Sequence, residues 1–309
     1  MAKTADKVEK FNLQQHITNQ IIESLETGVK PWVQGWDNKA FHLHHIPVNL
    51  SSKKRYRGVN VLLLWAVAMN KGYKSRYWVT YKQATELGGT VRKGEKSSMV
   101  CYYSTMPKCK VHGKDKQDDC KACEHSVGFW KYYLAFNVEQ CEGLEYPETP
   151  VIDDKTRDTE SNAMAETILR NSGAKIEHRA VLDAPHYSHG LDKIVLPHQN
   201  QFRNDAAYYA TALHELTHWT GHEKHLNRQF GKRFGDSAYA FEELVAELGS
   251  AFLCAEVGNV GTLDRHVSYI DNWLNVLKKD KSAIFTAASK ASDAYEYCLA
   301  FSEAMEGVA

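Results

Sequence analysis

His214-Glu215-Leu216-Thr217-His218 lies inside a run, residues 205–220, whose apolar positions repeat at helical spacing and which stops at Gly221. Side chains at i and i+4 of a helix leave one face a single turn apart, so His214 and His218 can share one cation. Glu215 follows the first imidazole directly and can reach a water at that cation as general base. The motif therefore demands a well-packed helix and a third ligand from a different segment.

The next helical run, residues 238–257, carries Glu242, Glu243 and Glu247 among Phe241, Leu244, Leu248 and Phe252. A carboxylate on the helix after HExxH is the usual third ligand of the Glu-type zincins. Glu243 and Glu247 share a face by their spacing. We expect Glu243 as the third ligand and Glu247 as partner to a ligating imidazole, with the reverse assignment left open because sequence does not fix helix rotation. Zn²⁺ is the expected cofactor, with another divalent metal open. His222 and His225 follow the helix end and read as surface or supporting groups. His42, His44 and His45 read as a solvated loop.

The net charge of zero hides two unlike halves. Residues 1–150 hold 22 Lys/Arg against 15 Asp/Glu, a balance of +7, and the remainder carries −7. A basic half beside an acidic one suggests that the first half alone meets a polyanion. Residues 1–15 lack the apolar core of a secretory signal, and the longest apolar run, residues 61–69, is too short to span a bilayer. A cytoplasmic location with no membrane partner is expected, and the seven Cys read as reduced thiols.

Helices are expected at 11–28, 59–70 and 81–87, with strands at 77–81, 99–103 and 130–137. Residues 147–160 are polar, contain two prolines and read as a linker. Beyond it come a helix at 161–171, strands at 176–182 and 193–196, and helices at 205–220, 238–257, 264–277 and 281–305. The expected class is α+β: a mixed α/β domain over 1–146 followed by a mostly helical domain over 161–309 able to fold without the first.

Within the first domain a polar insert, about residues 107–127, holds Cys109, His112, Cys120, Cys123 and His125. The Cys120-x-x-Cys123 spacing suits a metal knuckle that Cys109 with His125 or His112 could complete; a loop with incidental thiols stays open. Cys101, Cys141, Cys254 and Cys298 lie in apolar surroundings and read as buried filler.

Basic and aromatic residues interleave from Lys30 to Lys96. Trp32 and Trp36 frame a loop. Lys53, Lys54, Arg55 and Arg57 form one basic cluster, Lys74 and Arg76 with Trp78 a second, and Arg92, Lys93 and Lys96 a third. Phosphate contacts from these cations and base stacking on exposed rings would suit single-stranded nucleic acid. Trp65, inside an apolar helix, reads as core; Trp32 and Trp78 are stacking candidates that could equally be core.

These stretches resemble the ArdC-type antirestriction proteins, whose N-terminal module also opens some TraC-type plasmid primases. The resemblance rests on Gly28-Val-Lys-Pro-Trp32, Tyr56-Arg-Gly-Val-Asn-Val-Leu-Leu-Leu-Trp65, Lys82-Gln-Ala-Thr-Glu-Leu-Gly-Gly89, Val91-Arg-Lys-Gly-Glu-Lys96 and Phe136-Asn-Val-Glu-Gln-Cys141. In the second half it rests on His214-Glu-Leu-Thr-His-Trp-Thr-Gly-His222 and Glu242-Glu-Leu-Val-Ala-Glu-Leu-Gly249. It implies a single-stranded-DNA-binding domain, a zincin-like metallopeptidase domain, and protection of incoming mobile DNA from host restriction, as in plasmid conjugation. The Cys/His insert is longer than usual for the family, and no primase domain follows, so neither a role for the insert nor primase activity is implied.

Two functions are therefore in play. One is a DNA-tethered zinc peptidase cleaving a host restriction component or another DNA-bound protein. The other is a DNA-shielding protein whose metal is structural. An intact Glu215 favours the first, but sequence does not show turnover.

Overall fold

A computed structural model describes residues 11–27, 30, 32, 45–107, 126–148, 154–181, 184–229, 237–259 and 270–302. Helix α1 (Leu13–Glu26) starts where the Asn12 side chain accepts from the Gln15 amide. Strand β1 (Val48–Asn49) leads to α2 (Val59–Lys71), which ends at Gly72 in the left-handed region, φ +74°. Then come β2 (Tyr77–Thr80), α3 (Tyr81–Glu86), β3 (Thr90–Val91), β4 (Ser98–Pro107), β5 (Ser126–Asn137) and β6 (Cys141–Glu142). Thr80 and Gln83 close a capping box at the start of α3.

The main sheet has the order β1-β2-β5-β4; β1 and β2 are parallel and the other pairs antiparallel. Alternation along β4 and β5 sends Val100 and Ala135 to one face, under Leu64 and Ala68 of α2. The opposite parity sends Met99, Cys101 and Trp130 into the larger core.

The second half holds α4 (Asp154–Asn171), then β7 (Lys175–Arg179), β8 (His186–Ser188) and β9 (Lys193–Pro197) in the order β7-β9-β8, and, among the described residues, four more α-helices. These are α5 (Asp205–Trp219), α6 (Ser237–Val257), α7 (Ile270–Lys279) and α8 (Ala283–Leu299). The class is α+β as expected. Among the described residues no helix is long and apolar enough to cross a membrane.

Several expectations need correction. Helix α4 begins at Asp154, inside the stretch read as linker; both of its prolines, Pro147 and Pro150, precede it. Strand β8 went unread because three residues are too short to show a period. The hairpin strands β4 and β5 extend well past their expected ends.

One apolar cluster also crosses the expected domain boundary. It joins Leu13, Ile17, Ile21 and Leu25 of α1 and Trp32 to Trp273, Leu277 and Ile284. Trp32 meets Trp273 at 5.8 Å between ring centroids, and Trp65 meets Phe252 at 5.6 Å. The Thr18 hydroxyl donates to the Lys281 carbonyl at 2.8 Å, and the Gly58 amide to the Ser292 hydroxyl oxygen at 2.8 Å. Burial of each such large apolar side chain stabilises by about 1.5–3 kcal/mol, so the halves stabilise each other. That runs against a second half folding without the first.

Candidate metal centre

Asn204 caps α5 by accepting from the Ala207 amide at 2.9 Å. The helix then buries nearly every residue from Ala207 onward, the HExxH motif included. His214, Glu215 and His218 are 4%, 6% and 8% exposed. Helix α6 crosses beneath with Glu242, Glu243 and Glu247 all buried. Close approach is built in at Gly249, where a Cβ would lie 2.6 Å from Thr217 Cγ2, in the middle of the motif. Any larger residue there would push α5 from α6.

The expected ligands converge. One donor atom each from His214, His218 and Glu243 lies within 4.8 Å of the others. His214 Nε2 is 3.6 Å from Glu243 Oε2, and His218 Nε2 is 3.5 Å from Glu243 Oε1. Two imidazoles and a carboxylate, all buried, form a donor set that fits a divalent cation such as zinc. Burial disfavours charge on both partners, but the mutual attraction wins. It lowers the Glu243 carboxyl well below 4.5, through His218 and then His214, and raises His218 from 6.5 to about 10, chiefly through Glu243. A cradle that holds a proton on a buried imidazole favours a cation for the same electrostatic reason.

The alternative ligand, Glu247, is engaged elsewhere: its Oε1 accepts from Lys30 Nζ at 3.0 Å. The carboxylate beside the His218 imidazole is that of Glu242, not that of Glu247, the partner expected from sequence. Glu242 Oε1 lies 3.4 Å from His218 Nδ1, and Arg228 forks onto the same carboxylate at 2.7 and 3.1 Å. Burial raises the Glu242 carboxyl, but hydrogen bonds from His218 and Arg228 outweigh it and hold it below the usual range. His225 bonds the Tyr297 hydroxyl at 2.9 Å and packs tilted against Trp219, while His222 packs on His189; both brace the end of α5.

The expected DNA contacts are scattered. Trp32 and Trp78 are core residues, 4% and 1% exposed, so neither offers a ring face to a base; the core alternative is the one adopted. Arg55 pairs with Glu256, and Arg57 with Asp293 and Glu296, all at 2.7 Å. That part of the basic cluster faces the acidic half. Arg92 pairs with Glu95 and donates to the Glu139 carbonyl, and Arg76 lies over the Tyr77 ring. Lys53, Lys54, Lys74, Lys93 and Lys96 are exposed. Cys109, His112, Cys120, Cys123 and His125 lie outside the described residues, as do Trp36, His42 and His44. Burial pushes the thiols of Cys101, Cys254 and Cys298 up to about 12, so they stay protonated and unreactive; Cys141 is half-buried.

Residues 11–136 match the family described as the N-terminal domain of anti-restriction factor ArdC, and residues 163–290 match a zincin-like metallopeptidase family. The crystal structure of metal-free antirestriction protein ArdC from plasmid R388 superposes with a TM-score of 0.75 at 36% identity, covering 94% of this chain and 98% of that one. The chain belongs to the ArdC antirestriction family. The Mn(II)-bound form of that ArdC gives a TM-score of 0.74 at 35% identity, covering 96% and 100%. Protein y4eC of Sinorhizobium fredii is 36% identical over 91% of this chain and 89% of its own length. DNA primase TraC of Escherichia coli is 34% identical over 93% of this chain but only 20% of the primase.

Proposed function

We propose that this ArdC-family chain holds a divalent cation, zinc foremost, on His214, His218 and Glu243. In this reading it carries a peptidase-type site there, binds single-stranded DNA, and protects incoming DNA from host restriction. The carrying observation is the convergence of three buried donors within 4.8 Å beside Glu215. When bound, the cation would supply Lewis acidity to a scissile carbonyl and lower the pKa of a water. Glu215, on the same turn of α5, is the residue that would take a proton from an attacking water and pass it to the leaving amine. Glu242 accepts from His218 Nδ1 and so turns Nε2 toward the donors. The substrate class is protein bound near the incoming strand, a host restriction component included.

A second reading has a specific observation behind it. Each donor residue is under a tenth exposed, which also suits a cation that only ties α5 to α6. DNA protection in cells separates the two. Glu215→Ala should abolish protection while keeping metal content if the site is catalytic. Unchanged protection by a stably folded Glu215→Ala protein would leave a shielding protein with a structural cation. Metal analysis should give one tightly held equivalent, lost in His214→Ala; less than half an equivalent in both would remove the centre itself.

A further inference from the structure

The β4–β5 ladder carries large side chains on both faces, and the two faces differ. On one, Trp130 packs on Phe285 of α8 at 4.7 Å, and Tyr132 meets Phe11 at 6.3 Å. Tyr103 lies so close over Gly128 that a Cβ there would fall 1.7 Å from its hydroxyl. Tyr103 and Tyr132 are 53% and 49% exposed, but each is set against another ring of this face, Trp130 and Phe11, and Trp130 in turn packs into the fold.

The other face is buried under α2 only as far as Val100 and Ala135. Tyr133, directly opposite Val100, and Tyr102, Lys131, Phe129 and Met106 beyond it share one parity of the ladder. Tyr102 and Tyr133 are 52% and 50% exposed, with ring centroids 6.3 Å apart, edge to face. Lys131 is the direct cross-strand partner of Tyr102, and its ammonium sits 5.1 Å from the Phe129 centroid.

We propose that this face is the platform on which single-stranded DNA stacks its bases, with Tyr102, Tyr133 and Phe129 as stacking rings and Lys131 as a phosphate contact; this rests on the reading that the chain binds single strands. Three features select the occupant. Half-exposed tyrosine rings held by a neighbour offer a π-face at little entropic cost, and every unstacked base can use one. A cation lies within the row of rings, as a backbone polyanion requires. The platform belongs to the half of the chain with the +7 balance, while the −7 half repels phosphate. A duplex hides its base faces and gains nothing from the rings.

The test uses the full chain and a labelled oligothymidylate beside a duplex of equal length. Tyr102→Ala/Tyr133→Ala should weaken single-strand binding at least about five-fold with the salt slope kept, leaving duplex binding unchanged. Tyr102→Phe/Tyr133→Phe keeps the rings and should bind as wild type. On the wild-type chain, a bromouracil-substituted strand should cross-link under ultraviolet light to the peptide holding Tyr102 or that holding Tyr133, a result independent of how any variant folds. Cross-links confined to other peptides, or a folded alanine variant binding within about two-fold of wild type, would overturn the platform while leaving single-strand binding intact. Wild type failing to bind single strands at all would overturn both.

Discussion

Lys30 places its ammonium 3.0 Å from the carboxylate of Glu247, one helical turn along α6 from Glu243. It also lies 5.4 Å from the Trp273 ring centroid. A residue from the half expected to bind DNA therefore braces the helix that carries Glu243, the proposed third ligand, and its side chain is only 10% exposed against 1% for Glu247. Pro31 and Trp32 follow it, and Trp32 completes the apolar contact with Trp273. This segment holds the two halves in one register.

Removing one partner of a buried ion pair costs far more than the pair is worth. Lys30→Met should lower unfolding free energy by on the order of 3 kcal/mol, and Lys30→Met/Glu247→Leu should recover much of it. Urea unfolding of the three proteins measures this. A single variant as stable as wild type would mean that the ammonium does not anchor α6.

Gly249 sets the distance between α5 and α6. A methyl group there meets Thr217 Cγ2 at 2.6 Å, and Thr217 is fully buried with its hydroxyl donating to the Leu213 carbonyl. Gly249→Ala should cost about 1–3 kcal/mol through overpacking and spread His214 and His218 from Glu243. Weaker metal binding, read by competition with a chelator, should accompany the lowered melting temperature. Thr217→Ser, which removes the clashing methyl, should rescue both in the double variant.

The convergence of His214, His218 and Glu243 was legible because its signals are local. The His214/His218 spacing and the helical period around Glu243 depend on positions a few residues apart. Glu242 and Arg228 were not legible, because a buried ion pair between a helix and a distant loop leaves no periodic trace. The same limit applied to Trp78: its basic neighbours in sequence left a stacking ring and a core residue equally open, while its strand parity put it under Leu64 and Ala68. Tyr102 and Tyr133 went unnoticed for the opposite reason, since an aromatic strand reads as core until the end of the covering helix is known.

The metal-free centre should release a proton when it is loaded. His218 is raised from 6.5 to about 10, so its contribution to metal-free stability is complete below 6.5 and lost as pH climbs through about 10. Glu243 is depressed below 4.5, so its contribution is present above 4.5 and lost as pH falls through its lowered value. The pair thus supports the metal-free fold across the neutral range, where ligation needs a neutral imidazole. Metal affinity should rise with pH from 6 to 8, by about ten-fold per unit for one proton released. Titration calorimetry in buffers of different ionisation enthalpy counts that proton; no buffer dependence at neutral pH would remove the His218–Glu243 ion pair.

Arg228 fixes Glu242, and Glu242 in turn holds His218 Nδ1. The guanidinium forks onto the carboxylate and also donates to the Thr220 hydroxyl oxygen at 2.8 Å and the Thr217 carbonyl at 2.6 Å. Arg228 and Glu242 are each 3% exposed, so water does not screen the pair. Without the guanidinium, the Glu242 carboxylate would be free to rotate away from the imidazole or to take its proton. Glu242→Gln keeps the volume and an acceptor oxygen but removes the charge that both Arg228 and His218 face. It should weaken metal binding by about 10–100-fold, the usual loss when a ligating histidine loses its carboxylate partner. Arg228→Lys keeps the charge but not the fork, and should fall between Glu242→Gln and wild type. Competition with a chelator, on proteins whose far-ultraviolet dichroism matches wild type, measures the order. Wild-type affinity in a folded Glu242→Gln protein would show that His218 is oriented by its own helix packing alone.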